Sequence, residues 1–203
     1  MGRAAARLTS GERPVASSDW ELVQRARAGD RDAFRELVER YQRKIAALAL
    51  GMLRSREDAL DIVQETFTKA YQSLDRFKGD AAFYTWVYRI AYNLCVDQQR
   101  RAAKEPLLTL DADEDARPAH ALPADDPHPD QPFARARDAE IARRVREAIR
   151  DLTPDHRAVI LLRELEGLSY AEISQVLECP KGTVMSRLHY ARRQLQRRLR
   201  ELL

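Results

Sequence analysis

Glycine and cysteine are scarce in this sequence, and long apolar runs are absent from it. There are 7 glycines and 2 cysteines among 203 residues. Cys95 and Cys179 lie far apart with no His or Cys at metal-binding spacing, which disfavours a disulfide framework and a zinc site. No stretch approaches the ~20 apolar residues of a membrane span, and residues 1–18 lack the apolar core of a signal peptide. A reducing cytoplasm is therefore expected.

Charge is distributed unevenly along the chain. Residues 1–104 carry 19 basic and 14 acidic side chains, residues 105–132 carry 1 and 8, and residues 133–203 carry 15 and 10. Two segments of net charge +5 therefore flank one of −7. This asymmetry suggests that the two basic modules have a polyanionic partner.

Six of the nine prolines lie in the acidic part of the chain. Proline and like charge both oppose packing, so this part is expected to be a flexible linker. The periodic segments outside it are all helical, which predicts an all-α protein of two small helical domains. The predicted organisation is a disordered extension, a first domain, an acidic linker and a second domain, over residues 1–16, 17–103, 104–137 and 138–203.

Helix-start signals support this organisation. Ser18 precedes Glu21 by three residues, and Ser169 precedes Glu172 by the same spacing, which is the pattern of a capping box. Four helices are expected in the first domain.

In the third of these helices, the residues predicted to face the core are Ala59, Ile62, Val63, Phe67, Ala70, Tyr71 and Leu74. The second domain begins with an amphipathic helix that carries Ile141, Val145 and Ile149, and Thr153-Pro154 starts another helix.

The stretch from Ser169 to Leu195 has the pattern of a helix-turn-helix. Pro180 suits the first position of its second helix, because the N–H that proline lacks would be unbonded there. Apolar residues recur in that helix at spacings of three and four, at Val184, Leu188, Ala191, Leu195, Leu199 and Leu202. The opposite face presents Lys181, Met185, Ser186, His189, Tyr190 and Arg193. A basic second helix often enters the DNA major groove, although a helical hairpin with a solvated basic face has the same pattern.

An acidic stripe occupies the outer face of the predicted third helix. With Ile62, Val63 and Phe67 directed inward, the residues directed outward are Asp58, Asp61, Gln64, Glu65 and Thr68. Phosphates would be repelled by this stripe, so DNA is a poor partner for it. The stripe is either a docking surface for a protein with basic side chains or an ordinary solvated helix face.

Aromatic and basic side chains are crowded together between residues 77 and 104. Phe83, Val87, Ile90 and Leu94 recur at helical spacing as core residues, yet other aromatic residues occur on more than one face. Proteins that bind single strands stack unpaired bases on aromatic rings and hold the backbone with cations. Asn93 is either part of a pocket for a flipped base or a satisfied buried asparagine.

Three stretches in this order resemble the extracytoplasmic-function (ECF, group 4, RpoE-like) sigma factors of the sigma-70 family. They are DALDIVQETFTKAY at 58–71, FKGDAAFYTWVYRIAYNLCVDQQRR at 77–101 and LRELEGLSYAEISQVLECPKGTVMSRLHYAR at 162–192. The resemblance covers about residues 19–203. It implies a sigma factor that binds core RNA polymerase, recognises the −10 and −35 promoter elements, promotes DNA melting and serves an envelope or stress response. It also implies an anti-sigma factor as a partner, besides the polymerase and promoter DNA.

The resemblance also implies roles for individual residues. The residues implied to contact the clamp helices of the largest polymerase subunit are Asp58, Asp61, Gln64 and Glu65. The −10 element, with a base flipped into a pocket beside the loop of residues 77–82, is assigned to Phe77, Lys78, Gly79, Asp80, Tyr84, Trp86, Tyr88, Arg89, Asn93, Arg100 and Arg101. The −35 element is assigned to Arg163, Tyr170, Lys181, Thr183, Met185, Ser186, Arg187, His189, Tyr190 and Arg193.

Promoter dimensions constrain the linker. Elements separated by ~20 base pairs lie ~70 Å apart. A relaxed 34-residue coil spans only ~30–35 Å, whereas a fully extended one reaches ~110 Å. Either the polymerase holds the acidic linker stretched in its cleft, or the linker is a solvated spacer.

Two other classes of protein fit the sequence less well. A response regulator would have a phosphorylatable α/β receiver domain at its N-terminus, and no strand pattern is present there. An enzyme would have a Gly-rich phosphate loop, a nucleophile elbow or a metal cluster, but the four histidines are scattered along the chain. No catalytic residue, metal or cofactor is expected.

Overall fold

Four helices build the first domain of the protein. The computed structural model describes residues 18–104 and 132–200. The first helices are α1 (Asp19–Arg27), α2 (Arg31–Met52), α3 (Arg56–Gln72) and α4 (Phe83–Lys104). A 3-10 turn at Leu74–Arg76 and the loop of residues 77–82 connect α3 to α4. The predicted extension over residues 1–16 lies outside the described residues.

The second domain ends in the predicted helix-turn-helix. It consists of α5 (Pro132–Arg150), α6 (Pro154–Ile160) with a π-helical continuation (Leu161–Leu165), α7 (Tyr170–Val176) and α8 (Lys181–Arg200). Helix α5 begins inside the predicted linker, since proline is tolerated in a first helical turn. Most of that linker lies outside the described residues. All regular elements of the described residues are helical, which confirms the all-α fold.

The predicted helix starts are confirmed by their hydrogen bonds. Ser18 and Glu21 form a complete capping box at α1, and Ser169 and Glu172 form one at α7. Thr153 caps α6 by accepting from the amide of His156. At α8 the prediction is displaced by one residue. Pro180 precedes the helix, and its carbonyl accepts from the amides of Thr183 and Val184 at 2.8 and 3.2 Å.

Apolar periodicity locates the core well in most helices. Val184, Leu188 and Ala191 of α8 are buried as predicted, while Leu195 is only partly buried and Leu202 lies outside the described residues. On α3 the prediction for Tyr71 is wrong. Its ring is 49% exposed and packs edge-on against Phe34 at 4.9 Å, because the groove between α2 and α3 is open to solvent.

The two domains pack against each other through α2, α4, α6 and α7. Gly51 of α2 allows this approach, since a Cβ atom there would lie 2.7 Å from both methyl carbons of Leu161. Arg157, which is only 9% exposed, donates from Nη1 to the Met52 carbonyl at 2.7 Å. Its Nη2 donates to the Leu152 carbonyl at 3.0 Å. A buried guanidinium therefore ties the end of α2 to the start of α6.

Candidate polymerase and nucleic-acid surfaces

Aromatic rings pack around the loop of residues 77–82. Phe77 is buried, with its ring 5.0 Å from that of Trp86 and 5.8 Å from that of Phe83. The next three residues, 78–80, are exposed. Gly79 has a φ of +81°, a conformation that favours glycine. A buried aromatic base thus carries an exposed basic and polar tip.

A cleft of about 390 Å³ opens beside this loop. It brings together several residues predicted for the −10 element with Arg76 and with two residues of the second domain. Its lining is Arg76, Phe77, Lys78, Gly79, Asp80, Ala81, Thr85, Trp86, Arg89, Gln175 and Glu178. Sequence reasoning missed Arg76, although it directly precedes the aromatic and basic stretch.

The remaining residues predicted for the −10 element lie elsewhere. Asn93 is exposed, so the interpretation as a buried structural asparagine is wrong. It lines a neighbouring depression with Arg76 and Asp97 rather than the cleft. Arg100 and Arg101 are exposed near the end of α4.

Two tyrosines predicted for the −10 element contact the second domain instead. Tyr88 is buried, and its hydroxyl donates to Glu166. Burial first, and this hydrogen bond second, raise the pKa of Tyr88. The hydroxyl of Tyr84 donates to Glu172, which raises the pKa of Tyr84. In this arrangement the Tyr88 ring is buried, the Tyr84 ring is partly buried, and the hydroxyls of both are bound by the second domain.

The acidic stripe of α3 adjoins an apolar groove. Asp61, Gln64 and Glu65 are exposed, and Glu65 pairs with Lys69 at 2.8 Å. Asp58 is only half-buried and accepts from Gln98 of α4 at 3.2 Å. The groove between α2 and α3 has a volume of about 520 Å³ and is lined by Phe34, Val38, Gln42, Leu60, Val63, Gln64, Phe67, Thr68, Tyr71 and Gln72.

The groove of α2 and α3 was not predicted from the sequence. Leu60 is 52% exposed in this groove, and an apolar residue type alone does not predict such exposure. An apolar groove with an acidic rim suits a protein partner that has apolar and basic side chains.

The outward face of α8 is arranged as predicted. Lys181, Met185, Ser186, His189, Tyr190 and Arg193 are all exposed, and Thr183 is partly buried. Tyr190 is 59% exposed, and its ring lies edge-on to that of His189 at 5.6 Å. Basic, hydroxyl and aromatic groups on one exposed helix can meet base edges and phosphates in a major groove.

Three residues predicted for the −35 element are engaged within the protein. Arg187 forms an ion pair with Asp155 of α6 at 2.5 Å. Arg163 donates to the Leu168 carbonyl at 2.7 Å, and its guanidinium lies 5.1 Å from the centre of the Tyr170 ring. These contacts brace the helix-turn-helix from behind.

Comparisons with known proteins agree with this arrangement of two domains. Residues 37–105 match the family model of sigma-70 region 2, and residues 142–195 match that of sigma-70, region 4. The "ECF RNA polymerase sigma-E factor" of Haemophilus influenzae is 41% identical over 190 residues, which cover 92% of this chain and 97% of that protein. This chain belongs to the ECF sigma factors. It binds core RNA polymerase and recognises promoter DNA for transcription initiation.

Two solved structures show the same arrangement of helices as this sigma factor. The structure of CnrH in complex with the cytosolic domain of CnrY superimposes with a TM-score of 0.67 at 28% identity, covering 91% of this chain and 99% of that one. The sigma factor RpoE in complex with the anti-sigma factor NepR from Bartonella quintana has a TM-score of 0.61 at 21% identity, covering 82% and 96%. At 21% identity, the second structure shows a shared fold and no more.

In this sigma factor, three glutamates of the second domain face α4. Glu166 and Glu172 accept from Tyr88 and Tyr84, and Glu178 lies 3.5 Å from a guanidinium nitrogen of Arg89. Hydrogen bonds from Ser169 first, and from Tyr84 second, lower the pKa of Glu172. The second domain therefore forms one wall of the cleft beside the loop of residues 77–82.

Three further features of the sigma factor bear on its chemistry. Within residues 18–104 and 132–200, no group of three or more His, Cys, Asp or Glu side chains could hold a metal ion. Over the same residues, no helix is both long and apolar enough to cross a bilayer. Burial raises the pKa of the Cys95 thiol to about 12, so this thiol remains protonated in the core.

Proposed function

We propose that the three surfaces of this sigma factor divide the work of initiation. The acidic stripe and groove of α3 bind the clamp helices of the polymerase. The loop of residues 77–82 and α4 receive the melted −10 strand, and the outward face of α8 reads the −35 duplex. The observation that carries this proposal is the exposed face of α8 on one domain together with the aromatic and basic cleft on the other.

The chemistry of each surface supports its assignment. The cleft offers the partly buried ring of Trp86, supported by the buried ring of Phe77, with the cations of Arg76, Lys78 and Arg89, which suits unstacked bases and their backbone. The face of α8 offers groups that can bind base edges in a duplex. The stripe of α3 would repel phosphates, so a protein partner suits it better.

The two domains separate when both promoter elements are bound. A compact protein of about 200 residues is roughly 45 Å across, whereas elements ~20 base pairs apart lie ~70 Å from each other. The contacts of Tyr84, Tyr88 and Arg89 with the second domain must break in that state.

A protein that favours the closed arrangement would hold the factor inactive. The RpoE structure that shares this fold is a complex with an anti-sigma factor. We propose a partner of the same kind for this chain, a role in an envelope or stress response, and action in the cytoplasm without catalytic activity of its own. Co-purification of the factor from cells before and after envelope stress tests the partner, which should be released by the stress.

Transcription from a random promoter library tests the division of work. The purified protein mixed with core RNA polymerase should select two sequence elements upstream of each start. The double variant Asp61→Lys, Glu65→Lys should lose core binding and transcription, because two attractive contacts become repulsive. Helical content and melting should change little, since exposed substitutions usually remain within ~0.5 kcal/mol.

A matched control is available on α2. Asp32→Lys with Glu39→Lys makes the same change in charge at exposed positions away from the groove, so transcription should persist. If the α3 variant transcribes as well as this control, the assignment of the acidic stripe is wrong.

A further inference from the structure

Helix α1 holds the loop of residues 77–82 in place, although it lies outside the segment that matches sigma-70 region 2, residues 37–105. Arg27 is the last residue of α1. Its guanidinium donates to the carbonyl of Leu74 at 2.8 and 3.1 Å, to that of Asp75 at 3.4 Å, and to that of Phe77. One side chain thus satisfies three carbonyls where the chain leaves the 3-10 turn.

Trp20 supports the same loop from the same face of α1, about two helical turns before Arg27. Its ring centre lies 6.2 Å from that of Phe77, and the guanidinium of Arg27 lies 5.9 Å from its ring. A Cβ atom on Gly79 would approach Cζ3 of Trp20 to 2.7 Å. The indole therefore rests directly on the backbone of the loop tip. Trp20 is nevertheless 47% exposed, so its ring borders the loop from the surface rather than from inside the core.

The loop has little else to fix its shape. Within the described residues, no backbone hydrogen bond is made by the amides of residues 78–81. The first backbone bond after the loop joins the amide of Trp86 to the carbonyl of Ala82 at 3.2 Å. The side chains of α1 are therefore the main contacts that fix the conformation of the loop tip beside the cleft.

We propose that Arg27 and Trp20 are positioning residues for base capture, and that they determine how strictly the loop discriminates at the −10 element. They act through the loop backbone and Phe77 rather than by touching the base. A loop held in one shape presents one pocket that fits one base. A loosened loop has no fixed pocket, so it binds different bases, or a position without a base, with similar affinity. The inference rests on the proposed role of this loop in binding the −10 strand.

Holoenzyme binding to single-stranded oligonucleotides tests the inference. The probe is a fluorescent strand that carries the −10 element of the strongest library promoter, and a series in which one position at a time is abasic. With the wild-type factor, at least one position should show a loss of affinity on the order of tenfold or more when its base is removed. The measured quantity is the ratio of the affinity for the intact strand to the affinity for the abasic strand. With Arg27→Ala or Trp20→Ala, this ratio should fall to within about twofold of unity at the sensitive position, while the abasic strands bind as before.

The ratio separates positioning from a general structural role. A merely less stable domain lowers the affinity of intact and abasic strands alike, so their ratio is unchanged. Arg25→Ala removes the same charge from the same helix, but Arg25 contacts Asp30 at 2.7 Å and not the loop. This control should keep the wild-type ratio.

The outcomes distinguish this inference from the proposed function. If the wild-type factor shows no sensitive position, the role of the loop in −10 binding fails, and the inference fails with it. If the wild type discriminates and both α1 variants discriminate equally well, only the inference is overturned. Should the alanine variants not fold, Arg27→Lys decides, because it keeps the charge but cannot reach all three carbonyls. A wild-type ratio with Arg27→Lys would reject the proposal.

Discussion

The two candidate nucleic-acid surfaces differ in what surrounds them. The outward face of α8 is open to solvent, with its predicted base-reading side chains Ser186, His189 and Tyr190 all exposed. The cleft beside the loop of residues 77–82 is instead bounded by Gln175 and Glu178 of the second domain. One surface is thus ready for duplex DNA, whereas access to the other depends on how the two domains are packed.

This difference suggests an order of events for promoter binding. A closed factor can present α8 to a −35 duplex, but the melted strand needs a cleft whose second wall has moved away. On the proposed function, the promoter spacing requires separated domains, so strand capture would follow domain separation. Changes at the domain contact should therefore affect the first domain's surface and leave that of α8 unchanged.

The largest effect is expected from a change at the domain contact itself. Gly51→Leu places a side chain where even a Cβ atom would lie 2.7 Å from Leu161. The domains should move apart, so the radius of gyration measured by small-angle X-ray scattering should rise. Binding of the −10 strand by the free protein should become stronger, while −35 duplex binding should remain as in the wild type.

A leucine at an open position is the control for this change. A Cβ atom on Gly182 of α8 would have no neighbouring atom within 4 Å among the described residues, so Gly182→Leu should leave the radius of gyration unchanged. Unaltered scattering from the Gly51→Leu protein, with native helicity by circular dichroism, would show that the contact does not hold the domains together.

The next effect concerns the α8 face and should not depend on domain packing. His189→Ala or Tyr190→Ala should change preference at single −35 positions by ~1–3 kcal/mol. Library transcription with each variant measures this, and logos identical to the wild type would remove both residues from base recognition. Because their rings meet at 5.6 Å, the double variant should show non-additive effects.

Two arginines of the same helix provide a sharper contrast. Arg193→Ala should weaken −35 duplex binding evenly across sequences and reduce the salt slope by about one, as expected for a phosphate contact. Arg187→Ala should instead lower the melting temperature, since Arg187 pairs with Asp155 behind the recognition face. Titration of duplex binding against salt, with thermal melting, decides between the two roles.

Local signals in the sequence predicted the helices and the α8 face, because capping and helical periodicity depend on neighbours in the chain. Ser18, Ser169 and the Val184–Leu188–Ala191 stripe are examples. The domain contact was not predictable in this way. The fit of Gly51 against Leu161 depends on shape complementarity between distant segments, and a lone arginine gives no sign that it will cap a carbonyl 105 positions away.

The smallest effect should come from acid. The pKa of Glu172 is lowered partly by the hydrogen bond from Tyr84, which exists only while the domains are in contact. The separated state therefore binds this proton more readily, so the closed state is stabilised above the ordinary glutamate pKa of ~4.3 and loses that stabilisation as pH falls. Scattering between pH 6 and pH 3 should show increasing separation of the domains.

Tyr84→Phe isolates this contribution from the other contacts. The variant removes the hydrogen bond between the domains but leaves Ser169 to cap α7 with Glu172. Its radius of gyration should vary less with pH than that of the wild type, because the proton on Glu172 no longer competes with a contact between the domains. Binding of −35 duplex by α8 should show no such difference between the two proteins, because that face carries no carboxylate. Equal acid responses in scattering would mean that the Tyr84–Glu172 contact does not couple proton binding to domain separation.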